Sequence, residues 1–276
     1  MAAGVPDLDT SVAHPARRYD YWLGGKDNFA ADRESGDAIA ERWPDIVVAV
    51  RENRRFLQRA VRYVVEQAGV RQFLDIGTGL PTANNTHQVA QAVDPSCRIV
   101  YVDNDALVLA HARALLTGTP EGRCAYLDAD VRQPEKILRH DDLRRTLDLN
   151  QPVALMLVAV AHFLSEADDP YQIVGTLLDA LPAGSLLVLS HGSHDLIPAE
   201  NLTRLTREDY PGKDGFYPGT RAEVAAFFDG LDLLGSTEPD AGGTPQPVLI
   251  SEWCRDPGQA PPGSAVSTWG GVGRER

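Results

Sequence analysis

The segment Phe73-Leu74-Asp75-Ile76-Gly77-Thr78-Gly79-Leu80-Pro81 decides the fold. A short apolar run passes through Asp75 and Ile76 directly into two glycines and a proline. Glycines at the end of a strand let the backbone turn sharply and approach a bound ligand closely. Ligands of open α/β sheets bind outside the carboxyl ends of the strands. We therefore predict that this glycine loop borders a binding site.

Short apolar runs alternate with helical patterns on the carboxyl-terminal side of the glycine loop. This alternation predicts an α/β fold with a mostly parallel sheet covered by helices on both faces. Leu231–Leu234 is expected to pair antiparallel with the last predicted strand. The predicted strands are Gln72–Ile76, Arg98–Val102, Cys124–Leu127, Val153–Val158, Ser185–Ser190 and Val248–Cys254. The predicted helices are Thr82–Val93, Asp105–Leu116, Pro134–Leu149, Pro170–Leu181 and Thr220–Asp229.

Changes in composition along the chain divide it into three parts. Residues 1–70 are expected to form a lid segment and a helical cap, with residues 1–18 flexible and helices from Phe29 to Arg42 and from Pro44 to Gly69. Residues 71–255 are expected to form a Rossmann-like core. Residues 256–276 are rich in Pro and Gly and are expected to be an irregular tail.

Acidic residues follow three of the predicted strands. Asp75 precedes the glycine loop, Asp103 follows the second strand and Asp130 follows the third. An acid after the second strand can accept hydrogen bonds from both ribose hydroxyls of a nucleoside. Thr82 occupies the position of the third glycine of a dinucleotide loop, and a carboxylate suits an ammonium group better than a pyrophosphate. These features favour S-adenosylmethionine over NAD, although helix capping is an alternative role for the acids.

Four segments resemble an actinobacterial family that was catalogued as a domain of unknown function and later labelled S-adenosyl methyltransferase, within the class I methyltransferases. The resemblance runs from about Pro15 to Trp253 and implies a seven-stranded Rossmann-like sheet. It assigns Asp75, Gly77 and Gly79 to the methionine end, Asp103 to the ribose, and Asp130 with Val131 to the adenine; Thr78 and Asn104 complete the expected cofactor site. The four segments are Arg18-Tyr19-Asp20-Tyr21-Trp22-Leu23-Gly24-Gly25-Lys26-Asp27-Asn28-Phe29-Ala30-Ala31-Asp32-Arg33, Gln72 to Thr82, Asn85-Thr86-His87 and Val100-Tyr101-Val102-Asp103-Asn104-Asp105.

The first of these segments is dense in aromatic residues and glycine. We expect it to close over the cofactor as a lid that excludes water, with Tyr21, Lys26 and Asn28 among the cofactor contacts. The alternative is that its aromatic residues only attach the helical cap to the sheet.

Methyl transfer from a sulfonium is an in-line displacement in which the protein mainly aligns the two reactants. A general base is needed only where the acceptor must lose a proton. His162, after the fourth strand, is the candidate for this role or for the pocket wall, and His191 and Tyr217 are further candidates for the acceptor pocket. His191 and His194 next to Asp195 are too few ligands to predict a metal.

The formal net charge of −13 makes nucleic acid an unfavourable partner, because phosphate contacts require a basic surface. The sequence has no apolar run long enough to span a membrane, and its three separated cysteines fit a reducing cytoplasm. We therefore expect a cytoplasmic S-adenosylmethionine-dependent methyltransferase that acts on a small molecule. The alternatives are an NAD-dependent oxidoreductase and a non-catalytic protein that binds S-adenosylmethionine.

Overall fold

The computed structural model describes residues 9–81, 84–115, 118–197, 215–255 and 260–276. Three helices precede an α/β core, and no helix in these ranges is long and apolar enough to cross a membrane. The helices are α1 (Pro15–Leu23), α2 (Ala30–Arg42), α3 (Ile46–Glu66), α4 (Thr86–Val93), α5 (Ala106–Leu115), α6 (Pro134–Arg139), α7 (Asp141–Thr146), α8 (Pro170–Asp179), α9 (Arg221–Ala226) and α10 (Gly263–Val266). The strands are β1 (Gln72–Ile76), β2 (Arg98–Asp103), β3 (Arg123–Asp128), β4 (Ala154–Val158), β5 (Leu186–Gly192), β6 (Asp232–Leu234), β7 (Glu238–Pro239), β8 (Pro245–Gln246), β9 (Val248–Leu249) and β10 (Thr268–Arg274).

The central sheet has the strand order β3-β2-β1-β4-β5-β10-β6, with β9 paired to β10. Strands β1 to β5 are parallel to their neighbours among these five, and β10 is antiparallel to both β5 and β6. Successive strands are added first on one side of β1, as β2 and β3, and then on the other side, beginning with β4. The strand order therefore reverses between β1 and β4. The carboxyl ends of β1, β2 and β4 consequently meet at the position where such sheets bind ligands.

Apolar side chains fill both faces of the sheet. On one face, Phe56, Val61 and Val64 of α3 recur at helical spacing and pack in a cluster with Phe73 and Trp253. On the other face, residues of α6, α7 and α8 cover Leu74, Val100 and Leu155. Burial on both faces explains why the parallel strands are almost continuously apolar. The α/β class and the mostly parallel sheet predicted from the sequence are thus confirmed.

The first five predicted strands are confirmed to within one or two residues at each end. The helix predicted over Pro134–Leu149 is two short helices, α6 and α7, because the backbone of His140 is extended and its side chain caps the start of α7. The predicted helix starting at Thr82 begins at Thr86, and Thr82 itself lies outside the described residues.

The prediction for the end of the chain was wrong. Thr268–Arg274 is not an irregular tail but a strand that pairs with β5 along its whole length, from Thr268 opposite Gly192 to Arg274 opposite Leu186. This strand, rather than Val248–Cys254, pairs with Asp232–Leu234. Only Val248 and Leu249 of the predicted strand are extended. The carbonyl groups of Ile250 and Trp253 instead accept hydrogen bonds from the guanidinium of Arg59.

Residues 1–18 do not all belong to a flexible leader, since helix α1 begins at Pro15. The helix is held at its start by Asp32, whose two carboxylate oxygens accept hydrogen bonds from the backbone N–H groups of His14 and Phe29. One buried side chain therefore fixes the start of both α1 and α2. This role of Asp32 could not be predicted from the sequence, because His14 and Asp32 are eighteen positions apart.

A substitution at Gly270 tests how closely β10 packs in the sheet. A Cβ atom at this position would lie 2.7 Å from the Leu189 carbonyl oxygen and 2.8 Å from Ile250 Cγ2. Gly270→Ala should therefore lower the free energy of unfolding by about 1–3 kcal/mol, measured by urea denaturation. The matched control is Gly175→Ala in α8, where a Cβ meets nothing within 4 Å and should be neutral or gain roughly 0.5–1 kcal/mol. Equal stability of the Gly270 variant and the native chain would contradict the close approach.

Candidate active site

The glycine loop follows β1 directly, and two hydrogen bonds fix its path. Gly77 and Gly79 have φ angles of +68° and +66°, in the left-handed region that favours glycine. The Gly77 N–H donates to the Val102 carbonyl at 2.8 Å, and the Gly79 N–H donates to the Asp103 carboxylate at 2.8 Å. A Cβ on Gly77 would come within 2.3 Å of a Val160 methyl group, whereas a Cβ on Gly79 would meet nothing within 4 Å. The loop thus packs against the end of β4 at Gly77 and leaves open space at Gly79.

A cavity of about 220 Å³ lies between the glycine loop, the adjacent strand ends and the first three helices. The tertiary structure brings together at this cavity eight residues that the sequence predicted to bind the cofactor, and it adds His162 from the turn after β4. Their roles in binding stay predictions. The eight residues are Asp75, Gly77, Thr78, Gly79, Asp103, Asn104, Asp130 and Val131.

Two of these residues are buried carboxyl groups with perturbed acidity. Burial raises the pKa of Asp75 to about 6, partly opposed by a hydrogen bond that Thr86 Oγ1 donates at 2.6 Å and by the positive charge of Arg54. Burial also raises the pKa of Asp103 to about 6, although the N–H groups of Asp105 and Gly79 donate to its carboxylate. Ionised carboxylates at this depth favour a cationic or hydrogen-bond-donating ligand.

Asp130 marks the end of the cavity beside β3. Its carboxylate accepts hydrogen bonds from Asn104 Nδ2 at 3.2 Å and from the Arg132 N–H at 2.9 Å. The Arg132 guanidinium also donates to the carbonyl of Phe163 at 3.1 Å. Asp130 and Arg132 therefore connect the loops that follow β2, β3 and β4, and hold Val131 at the cavity wall.

Helix α1 covers the cavity with one face. Among its lining residues, Pro15, Tyr19, Trp22 and Leu23 recur at helical spacing, and Ala16, Arg18 and Asp20 also border the cavity. Tyr21 lies on the opposite face, where its hydroxyl donates to Asp37 at 2.7 Å.

Lys26 and Asn28 follow the end of α1, and neither lines the cavity. Lys26 is exposed, and Asn28 Nδ2 donates to the Asp20 carboxylate at 2.9 Å. The expected lid over the cofactor stays a prediction. Helix α1 lines the cavity, but Tyr21, Lys26 and Asn28 do not, because the helical period turns other residues inward.

Contacts across the fold tie this cover to the sheet. Buried Arg17 donates from Nε to Asp105 at 3.1 Å, and His14 Nδ1 lies 3.1 Å from the same carboxylate oxygen. Asp105, two residues after the end of β2, thus holds α1. Asp103 is the β2 acid that lines the cavity.

His162 is buried in the wall of the cavity, and its hydrogen bond defines its chemistry. The Gly192 N–H donates to His162 Nδ1 at 3.1 Å, so Nδ1 must be unprotonated and Nε2 carries the proton of the neutral ring. Burial and the adjacent His191 hold the pKa of His162 well below its usual range. In this tautomer the ring offers a ligand a hydrogen-bond donor and no basic lone pair, which argues against the general-base role considered from the sequence.

The other two predicted acceptor residues do not line the cavity. His191 is buried behind His162, with ring centroids 5.5 Å apart, and its Nδ1 lies 2.8 Å from the Gly192 carbonyl oxygen. The backbone N–H of Tyr217 donates to the His162 carbonyl, but it is the neighbouring Phe216 whose ring lines the cavity, 5.1 Å from His162. Residues 211–214 of this loop lie outside the described residues.

The Nδ1 atom of His194 is hydrogen-bonded to the Pro218 carbonyl at 2.8 Å, as that of His191 is to the Gly192 carbonyl. Within the described residues, no group of three or more His, Cys, Asp or Glu side chains could hold a metal ion.

The family model described as S-adenosyl methyltransferase matches residues 1–276. The chain belongs to this family. It is a methyltransferase that uses S-adenosylmethionine, and no comparison supports the oxidoreductase alternative. No curated protein matches the chain.

Two solved structures are similar to this S-adenosyl methyltransferase over almost its whole length. A DUF574 family protein from Streptomyces avermitilis is 42% identical, with a TM-score of 0.89 and coverage of 97% of this chain and 99% of that one. A protein from Thermobifida fusca assigned to the methyltransferases is 37% identical, with a TM-score of 0.85 and complete coverage of both chains. The plantazolicin methyltransferase BpumL, 13% identical with a TM-score of 0.50 over 95% of each chain, shares the fold.

The tertiary structure also adds site residues of the methyltransferase that the sequence did not indicate. Arg54 lines the cavity and donates to Asn85 Oδ1 at 2.8 Å. Asn53 receives a hydrogen bond from Ser190 at 2.6 Å and donates to the hydroxyl of Tyr19 at 3.0 Å. The signal for Asn53 was an uncharged polar residue on the apolar face of a long helix, where it needs buried partners.

The tautomer of His162 can be tested in solution by nuclear magnetic resonance. We expect its imidazole to stay neutral, with the proton on Nε2, from about pH 8 down to about pH 5.5, because protonation of Nδ1 would oppose the Gly192 N–H. Imidazole nitrogen and carbon chemical shifts report both properties. His162→Gln assigns the signal by removing it. Titration of that signal near the ordinary histidine range would disprove the assignment.

Proposed function

We propose that the methyltransferase binds S-adenosylmethionine with Asp75, the glycine loop, Asp103 and Asp130 and transfers the methyl group to a small molecule in the same cavity. The observation that carries the proposal is the convergence of buried Asp75 and Asp103 on an open glycine loop beneath α1. Such an arrangement concentrates hydrogen-bond acceptors and negative charge where a nucleoside with a cationic end would lie.

The residues present fit this cofactor. The Asp103 carboxylate accepts backbone hydrogen bonds and lines the cavity, where its oxygens can also accept from ribose hydroxyl groups. Asp75 lies next to the glycine loop, where its negative charge suits an ammonium group directly or through water. The apolar side chain of Val131 lies beside Asp130 and offers a surface for the adenine ring. The absence of a Cβ at Gly79 leaves room for a ligand to approach the backbone.

The protein contributes mainly alignment and exclusion of water. Bound S-adenosylmethionine would supply the methyl group, whose bond to the sulfonium sulfur breaks as a lone pair on the acceptor forms the new bond in line, with S-adenosylhomocysteine as the leaving group. Helix α1, attached by its buried Arg17–Asp105 contact, covers one side of the site and limits the access of water there. His162 orients the acceptor from the cavity wall without removing a proton, since its Nδ1 lone pair is engaged by Gly192.

The cover formed by α1 and α3 supports a small acceptor rather than a polymer, because the cavity lies beneath helices that are bonded to the core. The net charge of −13 further disfavours nucleic acid. A cytoplasmic setting is consistent with the three free cysteines, and the Streptomyces and Thermobifida relatives support an actinobacterial origin. Formation of S-adenosylhomocysteine during turnover separates this proposal from a non-catalytic binding protein.

Asp103→Ala tests the cofactor site. Because it removes hydrogen bonds to a charged acceptor, it should weaken binding of S-adenosylhomocysteine by about 1.5–3 kcal/mol in isothermal titration calorimetry. Asp128→Ala is the matched control, since Asp128 also ends a strand but is exposed and does not line the cavity. If a folded Asp103→Ala protein binds S-adenosylhomocysteine with unchanged affinity, Asp103 only caps the backbone. If NAD gives a binding heat and S-adenosylhomocysteine gives none, the proposed cofactor is wrong.

The acidity of Asp75 and Asp103 predicts a pH dependence of binding. Both carboxyl groups have a pKa of about 6, so acidification protonates them, and the cofactor binds the ionised form. The Kd of S-adenosylhomocysteine should be constant above about pH 7 and rise below about pH 6, by up to about tenfold per pH unit for each acid that must be ionised. Asp103→Asn should remove one of the two titrations and so reduce this slope. A Kd that does not change down to about pH 5 would contradict the role of both acids.

A further inference from the structure

We propose that the methyl acceptor is an uncharged molecule with a flat, apolar ring system, bound beneath the helical cap against Trp22, Trp43 and Phe216. This inference rests on the proposed function, since it concerns the part of the cavity that the cofactor residues do not occupy. It names the chemical class of the acceptor, which the family assignment leaves open.

The cavity has an apolar half that is formed by the cap. Trp43, Ile46 and Val50 are buried in one cluster, and Trp22 and Phe216 pack against it. All five residues line the cavity together with Leu23 and Ala49. These side chains come from α1, α3, the turn between α2 and α3 and the loop before α9, so a single apolar surface is assembled from four parts of the chain. Such a surface binds a ligand by removing apolar area from water.

Aromatic rings dominate this surface. The ring of Phe216 lies 5.1 Å from His162 in an edge-to-face arrangement, and His162 lies 4.5 Å from Phe163. Trp22 and Trp43 supply two further rings to the wall. Edge-to-face and offset-stacked contacts favour a planar ring in the ligand over an aliphatic chain of equal area.

The charged side chains that border the apolar half form hydrogen bonds with other groups of the protein. Arg18 donates to Ser35 on α2, and the Asp20 carboxylate accepts from the N–H of Asp27 and from Asn28. His162 is neutral because burial keeps its pKa low. Of the other cations at the cavity, Arg54 donates to Asn85 and its charge acts on Asp75, and Arg132 pairs with Asp130 and Asp168. A charged acceptor would lose its hydration in the apolar half and would have to compete with these internal contacts for a counter-ion, which is costly. A neutral ring with an oxygen or nitrogen atom that accepts a hydrogen bond from His162 avoids this cost.

The test uses 2-naphthol and 2-naphthoate as probes, a pair with the same ring system that differs in charge. Calorimetry is carried out on the full chain saturated with S-adenosylhomocysteine. We expect saturable one-site binding of 2-naphthol and at least about tenfold weaker binding of 2-naphthoate. Phe216→Ala should weaken 2-naphthol binding by at least about tenfold, and Phe216→Leu, which keeps an apolar side chain but removes the ring, should weaken it less.

Tyr171→Ala is the matched control, because Tyr171 is an exposed aromatic residue outside the cavity and its removal should leave 2-naphthol binding unchanged. Unaltered affinity for S-adenosylhomocysteine shows that each variant is folded. Failure of S-adenosylhomocysteine itself to bind the native chain would refute the proposed function. If it binds but 2-naphthol does not, if 2-naphthoate binds as tightly, or if Phe216→Ala has no effect, the inference about the acceptor is wrong and the proposed function stands.

Discussion

The hydrogen bond from the Gly79 N–H to the Asp103 carboxylate is the contact on which the candidate site depends. It joins the loop after β1 to the end of β2, and the Gly77 N–H reinforces the junction by donating to the Val102 carbonyl. Both residues adopt the left-handed backbone conformation that favours glycine. The same carboxylate that fixes the loop also faces the cavity, so the position of the acid and the shape of the loop are set together.

The helical cap covers this strand edge and completes the wall of the cavity. Asp32 fixes the starts of α1 and α2, and Arg17 joins α1 to Asp105 directly after β2. A second connection runs from Tyr19 through Asn53 to Ser190, whose hydroxyl accepts a hydrogen bond from the Ala159 N–H at the end of β4. Movement of the cap would therefore disturb both the β2 end and the β4 end of the site.

The two halves of the cavity differ in the side chains that line them. Buried carboxyl groups and open backbone lie where the strands end, and aromatic rings lie beneath the cap. Burial raises the pKa of Asp75 and Asp103 to about 6, which shows that the protein holds these acids at a cost in desolvation. A ligand with a cationic end and hydroxyl donors offsets that cost, whereas an uncharged ring matches the aromatic half. His162 lies between the β4 end and Phe216, at the boundary of the two environments.

The sequence by itself determined the α/β class, the first five strands, the glycine loop and the acids Asp75, Asp103 and Asp130, because alternating apolar runs and strand-end residues are local patterns. It misjudged β10, since three glycines and a chain end do not resemble a strand, and only the close approach of Leu189 and Ile250 explains Gly270. It selected Tyr21, Lys26, Asn28, His191 and Tyr217, whereas the tertiary structure placed Tyr19, Trp22, Arg54 and Phe216 at the cavity. Which face of α1 turns inward, and which nitrogen of His162 carries the proton, depend on partners far away in the chain, and those contacts exist only after the chain has folded.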